Sequence, residues 1–191
     1  WPTGPSNASP LPDHELDACF RTWLAAHDVE ELAPLLRNAK LQTGLRRFAF
    51  VHGDLNVVAF VAEATCVVAA DWLLAASKGH TSVLDWLEAR SSAYPRGLME
   101  CGVSSNQLDV VVWAHKRQLD VAGNLRTVAA ERGFLEILIY LDAHSLSGWD
   151  PMGVSIAAER GHVDVLCFLR AKAYAGTGPV LVDGGSDVRF M

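Results

Sequence analysis

The strongest constraint on this chain is a short pattern that returns six times at intervals of 26 to 28 residues. Its clearest copy is Ala157-Ala158-Glu159-Arg160-Gly161-His162-Val163-Asp164-Val165-Leu166-Cys167-Phe168-Leu169. Two small residues lead to two polar ones, then to Gly or a substitute, then to an amphipathic run ending in an aromatic and an aliphatic residue. The anchors are His27, Gly53, Gly79, Asn106, Gly133 and Gly161. A repeat of this length is one supersecondary unit and cannot bury a core by itself. It must stack on its neighbours, so the expected fold is an all-α helical repeat solenoid of helix-turn-helix units with short loops.

The register holds position by position. Four and five residues after the anchors stand Glu31-Leu32, Val57-Val58, Val83-Leu84, Val110-Val111, Ile137-Leu138 and Val165-Leu166. Seven and eight after them stand Pro34-Leu35, Phe60-Val61, Trp86-Leu87, Trp113-Ala114, Tyr140-Leu141 and Phe168-Leu169. Apolar residues at these offsets share one helix face. The third position is polar in every copy: Glu30, Asn56, Ser82, Asp109, Glu136 and Asp164. Such groups suit the positive end of a helix. Another helix precedes each anchor, clearest in Asp71-Trp72-Leu73-Leu74-Ala75-Ala76 and Ser155-Ile156-Ala157-Ala158. Its paired alanines favour helix and allow close approach. The anchor then ends it in the left-handed conformation, which Gly adopts freely and Asn better than most residues.

The series Ala-Ala-x-x-Gly-His-x-Asp-Val-Leu-x-Phe-Leu resembles the helix–loop–helix heart of the ankyrin repeat. It is carried most plainly by Ala75-Ala76-Ser77-Lys78-Gly79-His80 and Ala157-Ala158-Glu159-Arg160-Gly161-His162. The resemblance spans roughly Leu16 to Lys172. These copies are shorter than the usual repeat of about 33 residues and lack its opening Thr-Pro-Leu-His. The missing residues are expected to come from the β-hairpin finger, which leaves short loops. The resemblance implies a protein-binding module working through a concave face of first helices and loops.

Three segments follow from this register: a flexible lead over residues 1–12, an array of about six units over 13–175, and a Gly-rich tail or truncated cap over 176–191. The formal charge of −6 argues against a nucleic-acid partner, because phosphate contacts need a basic field. The window Val57 to Ala76 is apolar enough to suggest a membrane span. It contains Glu63 and Asp71 and divides into two helices of adjacent copies, so no membrane partner is expected. Cys19, Cys66, Cys101 and Cys167 stand far apart, with no close pair to hold zinc. Cys101 and Cys167 fall inside helices as small apolar fillers. Reduced thiols point to an intracellular place of work, which a protein secreted and delivered into another cell would share.

One stretch invites an enzymatic alternative. His52-Gly53-Asp54-Leu55-Asn56, followed by Asp71-Trp72, resembles the catalytic segment of kinase-like small-molecule phosphotransferases, with Asp54 as base and Asp71 as metal ligand. The metal-binding Asn expected five residues after Asp54 is Ala59, and no Gly-rich phosphate loop precedes it. Gly53, Leu55, Val57, Val58 and Phe60 all keep the repeat register. No Gly-x-Ser-x-Gly, His-Glu-x-x-His or phosphate-loop motif occurs, so neither catalytic residues, metal nor cofactor is expected. His80 and His162, just after the anchors, are read as capping or packing groups rather than acid–base catalysts.

The expected function is therefore non-catalytic binding of a partner protein, in a regulatory or effector role. The alternatives are the phosphotransferase and a structural spacer of a larger protein. Contact positions should lie six, two and one residues before the anchors. The first of these sets is Arg47, Leu73, Glu100, Thr127 and Ser155, and the others include Lys78, Arg132 and Arg160. Loop tips add Tyr94, Arg96 and Trp149. Tyr94, Arg96, Arg132, Trp149, Arg160, Lys78 and Arg47 are the candidate partner-binding residues, because Tyr, Trp and Arg dominate interface hot spots.

Overall fold

The computed structural model describes residues 12–91, 93–148 and 150–174. Among these the chain is all-helical: eleven α-helices and one 3₁₀ helix, with no strand. They form six consecutive pairs, each with an anchor between its members. The pairs are α1 (Asp13–Leu24) with η1 (Val29–Arg37), α2 (Ala39–His52) with α3 (Leu55–Ala64), and α4 (Ala69–Ser77) with α5 (Thr81–Glu88). They continue with α6 (Leu98–Ser104) and α7 (Leu108–Lys116), α8 (Leu125–Arg132) and α9 (Leu135–Ala143), and α10 (Met152–Glu159) and α11 (Val163–Tyr174).

Each first helix packs on the first helix of the next pair, in the order α1, α2, α4, α6, α8, α10. The second helices form a parallel series from η1 through α3, α5, α7 and α9 to α11. The first-helix row is the tighter one. Small residues make that possible: a Cβ on Gly153 of α10 would come within 2.8 Å of Thr127 Cγ2 on α8. The apolar register becomes the core. The residue eight after the anchor is buried in all six units, from Leu35 to Leu169. Both residues four and five after it are buried in α3, α5, α7 and α9. Each buried Val, Leu or Ile among them contributes roughly 1.5–3 kcal/mol. The polar third position is exposed throughout.

Five of the six anchors adopt the expected left-handed conformation. Gly53, Gly79, Gly133 and Gly161 have φ of 68°, 80°, 76° and 74°, and Asn106 has 58°. From α4 onward the helix stop is a recurring Schellman arrangement. The amide after the anchor reaches the carbonyl four residues before it: His80 to Ala75 (3.0 Å), Gln107 to Gly102 (2.8 Å), Phe134 to Ala129 (2.9 Å) and His162 to Ala157 (2.9 Å). Gly53 uses the simpler version, its own amide donating to Ala49 (2.9 Å).

The first unit departs from the pattern. His27 is not left-handed; its ring stacks on Trp23 at 4.4 Å and its Nδ1–H donates to the Trp23 carbonyl (3.0 Å). Its second element is 3₁₀ rather than α and contains Pro34, which has no N–H to donate and whose ring clashes with the preceding turn. Only Leu32 and Leu35 of η1 are buried, and Glu31 takes the exposed place where later units bury an aliphatic residue.

Candidate interaction surface

A helix end leaves its last carbonyls without intrahelical donors, and each needs a partner or water. Here the backbone turn takes two of them, and the next unit takes a third. The carbonyl two residues before the anchor receives a side chain from the following unit at every stacked interface from Gly53 onward. His80 Nε2–H donates to Val51 (2.7 Å), and Gln107 Nε2–H reaches toward Ser77 at 3.5 Å. Arg132 Nη1–H donates to Ser104 (2.7 Å). Glu131 receives both His162 Nε2–H (3.1 Å) and Arg160 Nη1–H (2.9 Å). A carbonyl can only accept, so these contacts fix the protonated nitrogen of His80 and His162. Both histidines cap, as their place in the register suggests.

The same side chains explain which anchors must be Gly. A Cβ on Gly53 would lie 2.5 Å from the His80 ring, and one on Gly133 would lie 2.6 Å from His162. Gly79 is overlain in the same way by Gln107. At the fourth interface the residue in the capping place is Phe134, the carbonyl is reached by Arg132 instead, and the anchor is Asn106. Nothing among the described residues lies within 4 Å of a Cβ built on Gly161, the last anchor.

The candidate contact residues fall into two groups. Lys78, Arg96, Arg132 and Arg160 are exposed. Lys78, Arg132 and Arg160 directly precede anchors, and the two arginines are each fixed by one N–H on a carbonyl of the previous unit. Arg47 and Tyr94 are half-buried. Arg47 Nη2–H donates to Asp17 Oδ1 of α1 (2.6 Å). Tyr94 lies edge-on between Trp72 and Trp113, with ring centroids 5.8 and 6.0 Å away, and its hydroxyl donates to Glu88. Trp149 lies outside the described residues.

The positions six before the anchors correct one expectation. Thr127 is buried, with its Oγ1 accepting from the Asp150 amide (2.8 Å), and Leu73 packs against the core. Glu100 is half-buried and accepts from the Ala122 amide (2.8 Å). The tight first-helix row turns this position toward the neighbouring unit from α2 to α8; it is exposed at Arg21 and Ser155, in the first and last pairs. Cys167 is a further correction: it is exposed on α11, whereas Cys101 is half-buried with its Sγ–H directed at the Leu73 carbonyl (3.2 Å), and burial pushes its thiol pKa up.

A ladder on the second-helix row was not visible in single copies. The residue seven after the anchor is aromatic in α5, α7, α9 and α11, and the residue eleven after it is basic. Arg90 sits 3.6 Å over the Trp86 ring, Arg117 sits 3.9 Å over Trp113, and Lys172 Nζ lies 5.8 Å from the Phe168 centroid. His144 lies against Tyr140 at 4.3 Å. The Arg and Lys pairs combine cation–π attraction with one-turn helix spacing, and the His144–Tyr140 pair is a contact between rings. The basic residue also reaches back to the unit before. Arg117 grips Glu88 through Nε (2.8 and 2.9 Å) and Asp85 through Nη2 (2.7 Å), and Lys172 pairs with Asp142 (2.7 Å). In this cluster the hydrogen bond from Arg117 holds the Glu88 carboxyl below the usual range, and the Glu88 contact raises the Tyr94 hydroxyl. The register signal was the i,i+4 spacing of aromatic and base, legible once several copies are aligned.

Asp54 and Asp71 have structural partners. Asp54 caps α3, accepting from the Asn56 amide (2.9 Å). Asp71 is buried, accepts from the Val68 amide (2.8 Å), and forms a two-pronged ion pair with Arg46 that raises the arginine pKa. Among the described residues no group of three or more His, Cys, Asp or Glu side chains could hold a metal ion, and no helix is long and apolar enough to cross a membrane. Compared with known proteins, the chain matches no family model, and no curated protein or solved structure is significantly similar to it.

Proposed function

We propose that the chain is a shortened ankyrin-like solenoid acting as a non-catalytic protein-binding module, with the partner lying along the side where Lys78, Arg132 and Arg160 are exposed at the first-helix ends. One observation carries this reading. Arg132 and Arg160, in adjacent units, are exposed and yet each is held by one N–H on the previous unit's backbone. A guanidinium has five N–H donors, so one bond to a carbonyl leaves the fork able to meet a carboxylate or carbonyl on a partner. Fixing the side chain beforehand lowers the ordering cost of association. Lys78 extends this row by two units toward the N-terminus. The binding is read as regulatory or effector-like, and the partner as a protein.

The test is capture of a partner by immobilised chain, compared with the double variant Arg132→Glu and Arg160→Glu. Each substitution removes one capping hydrogen bond, worth about 1 kcal/mol, so a modest fall in Tm with retained helicity is expected. A protein held by the parent and lost from the folded double variant supports the reading. Equal retention by both, or no specific capture by the parent, contradicts it.

A further inference from the structure

Arg46, Arg47, Arg117, Arg126 and Lys172 each pair with a carboxylate of the chain itself. The residues directly before the anchors differ. From the second unit onward they are His52, Lys78, Ser105, Arg132 and Arg160, with no acid among them, although the chain carries a formal charge of −6. Among the described residues Lys78, Arg132 and Arg160 form no ion pair, and the two arginines are bonded to backbone carbonyls alone. Those carbonyls are equivalent, each two residues before the previous anchor, so the two guanidinium groups stand one unit apart. Lys78 stands two units before Arg132. His52, at the head of the column, is half-buried with its Nε2 3.5 Å from Asp17 Oδ2, and Ser105 is half-buried and neutral. Glu131 and Glu159 precede the arginines, but successive helix positions point about 100° apart, so they border the column rather than lie in it.

We infer that this column binds an acidic segment in the polyproline II conformation, laid across the first-helix ends of successive units. The inference rests on the reading of the chain as a binding module with its partner on that side, and names the chemistry of that partner. The spacing carries it. The first helices pack in one continuous row, and packed helices stand about 8–10 Å apart. A polyproline II segment has three residues per turn and advances about 9.3 Å in each, so every third side chain returns to one face at the spacing of the units. A β-strand alternates its faces, and residues three apart would point in opposite directions. Carboxylates at the first, fourth and tenth positions of such a segment meet Arg160, Arg132 and Lys78 in turn, and in the reverse direction the first, seventh and tenth do so. The place between Arg132 and Lys78 lies over Ser105, whose hydroxyl can also donate. Glu131 and Glu159 along the border disfavour a segment that is acidic at every position. Polyproline II is extended before it binds, so little ordering entropy opposes association with a column whose arginines are already held.

The experiment measures binding of two labelled peptides to the full chain by fluorescence anisotropy at low salt. One is four Glu-Pro-Pro triplets, and the other is its isomer with all the glutamates in one block followed by the prolines. The periodic peptide should bind about tenfold tighter than the block isomer, since it engages about two more ion pairs. Lys78→Gln, Arg132→Gln and Arg160→Gln should each weaken it about threefold or more, with Lys116→Gln, an exposed base on the second-helix row, without effect. Lys78 makes no capping hydrogen bond among the described residues, so its variant reads the charge without disturbing a helix end. Vesicles containing phosphatidylserine are the third arm. Equal binding of the two peptides, or none, overturns the inference, and so does vesicle binding that Lys78→Gln weakens without any preference between peptides. Capture of a partner that depends on Arg132 and Arg160 would stand through such a failure, because it tests the side of the chain that binds and not the conformation of what is bound.

Discussion

At the scale of single residues, the anchor positions separate two reasons for glycine that usually travel together. Gly133 is left-handed and also lies under the His162 ring; Gly161 is left-handed, and nothing among the described residues lies within 4 Å of where its Cβ would stand. An alanine at either place meets backbone strain of about 1–2 kcal/mol. At Gly133 it must also displace a ring that donates to the Glu131 carbonyl, adding about 1 kcal/mol or more. Gly133→Ala should therefore lower the denaturation midpoint clearly more than Gly161→Ala, and equal losses would contradict the capping geometry. The acid response also has a residue-scale origin. The Glu88 carboxyl sits below its ordinary value of about 4.3, through the hydrogen bond from Arg117 and then that from Tyr94. A depressed carboxylate stabilises the fold fully above the unfolded value, and that contribution is lost as pH falls through the folded one. Glu88→Gln should flatten this part of the Tm profile between neutral pH and the acid limb. An unaltered profile would show that the Arg117 contact contributes nothing.

At the scale of elements, the helix pairs were legible because their signals are local. The offsets four, five and eight after each anchor are spaced by the turn of one helix, and Leu84, Leu87, Leu138 and Leu141 are all buried as that spacing demands. What escaped is what depends on two units at once. Thr127 looks like an outward position on an isolated helix, and it is the approach of α10 through Gly153 that buries it. Arg117 reads as a basic edge beside Lys116, and its acidic partners stand one unit earlier in the chain. Tyr94 reads as a loop-tip aromatic, and the two tryptophans that flank it come from α4 and α7. The first unit differs for a local reason, since Pro34 interrupts the helix that the register calls for. Pro34→Ala should raise the helical circular dichroism signal by roughly one turn, because the missing N–H is restored and a penalty of about 3 kcal/mol is removed. No gain in signal would mean that the exposed Glu31 and the turn at His27, rather than the proline, hold η1 in its 3₁₀ form.

At the scale of the whole molecule, each pair touches its sequence neighbours, so stability should build from nearest-neighbour interfaces rather than from one central knot of long-range contacts. Pairs with neighbours on both sides gain two interfaces. Amide exchange should therefore be slowest in α4 to α8 and faster toward α1 and η1, and a flat profile along the chain would argue for a single cooperative core. The central claim is that consecutive units are locked by a side chain of one closing the helix end of the other. A double-mutant cycle on Gly53→Asn and His80→Ala tests it most directly, with stability read from denaturant unfolding. Asn is the residue the chain itself places at Asn106 in the same left-handed conformation, so it adds bulk with little backbone strain. The account predicts that Gly53→Asn is costly in the parent and cheaper by about 1 kcal/mol or more once His80 is alanine. Strict additivity of the two substitutions would contradict it.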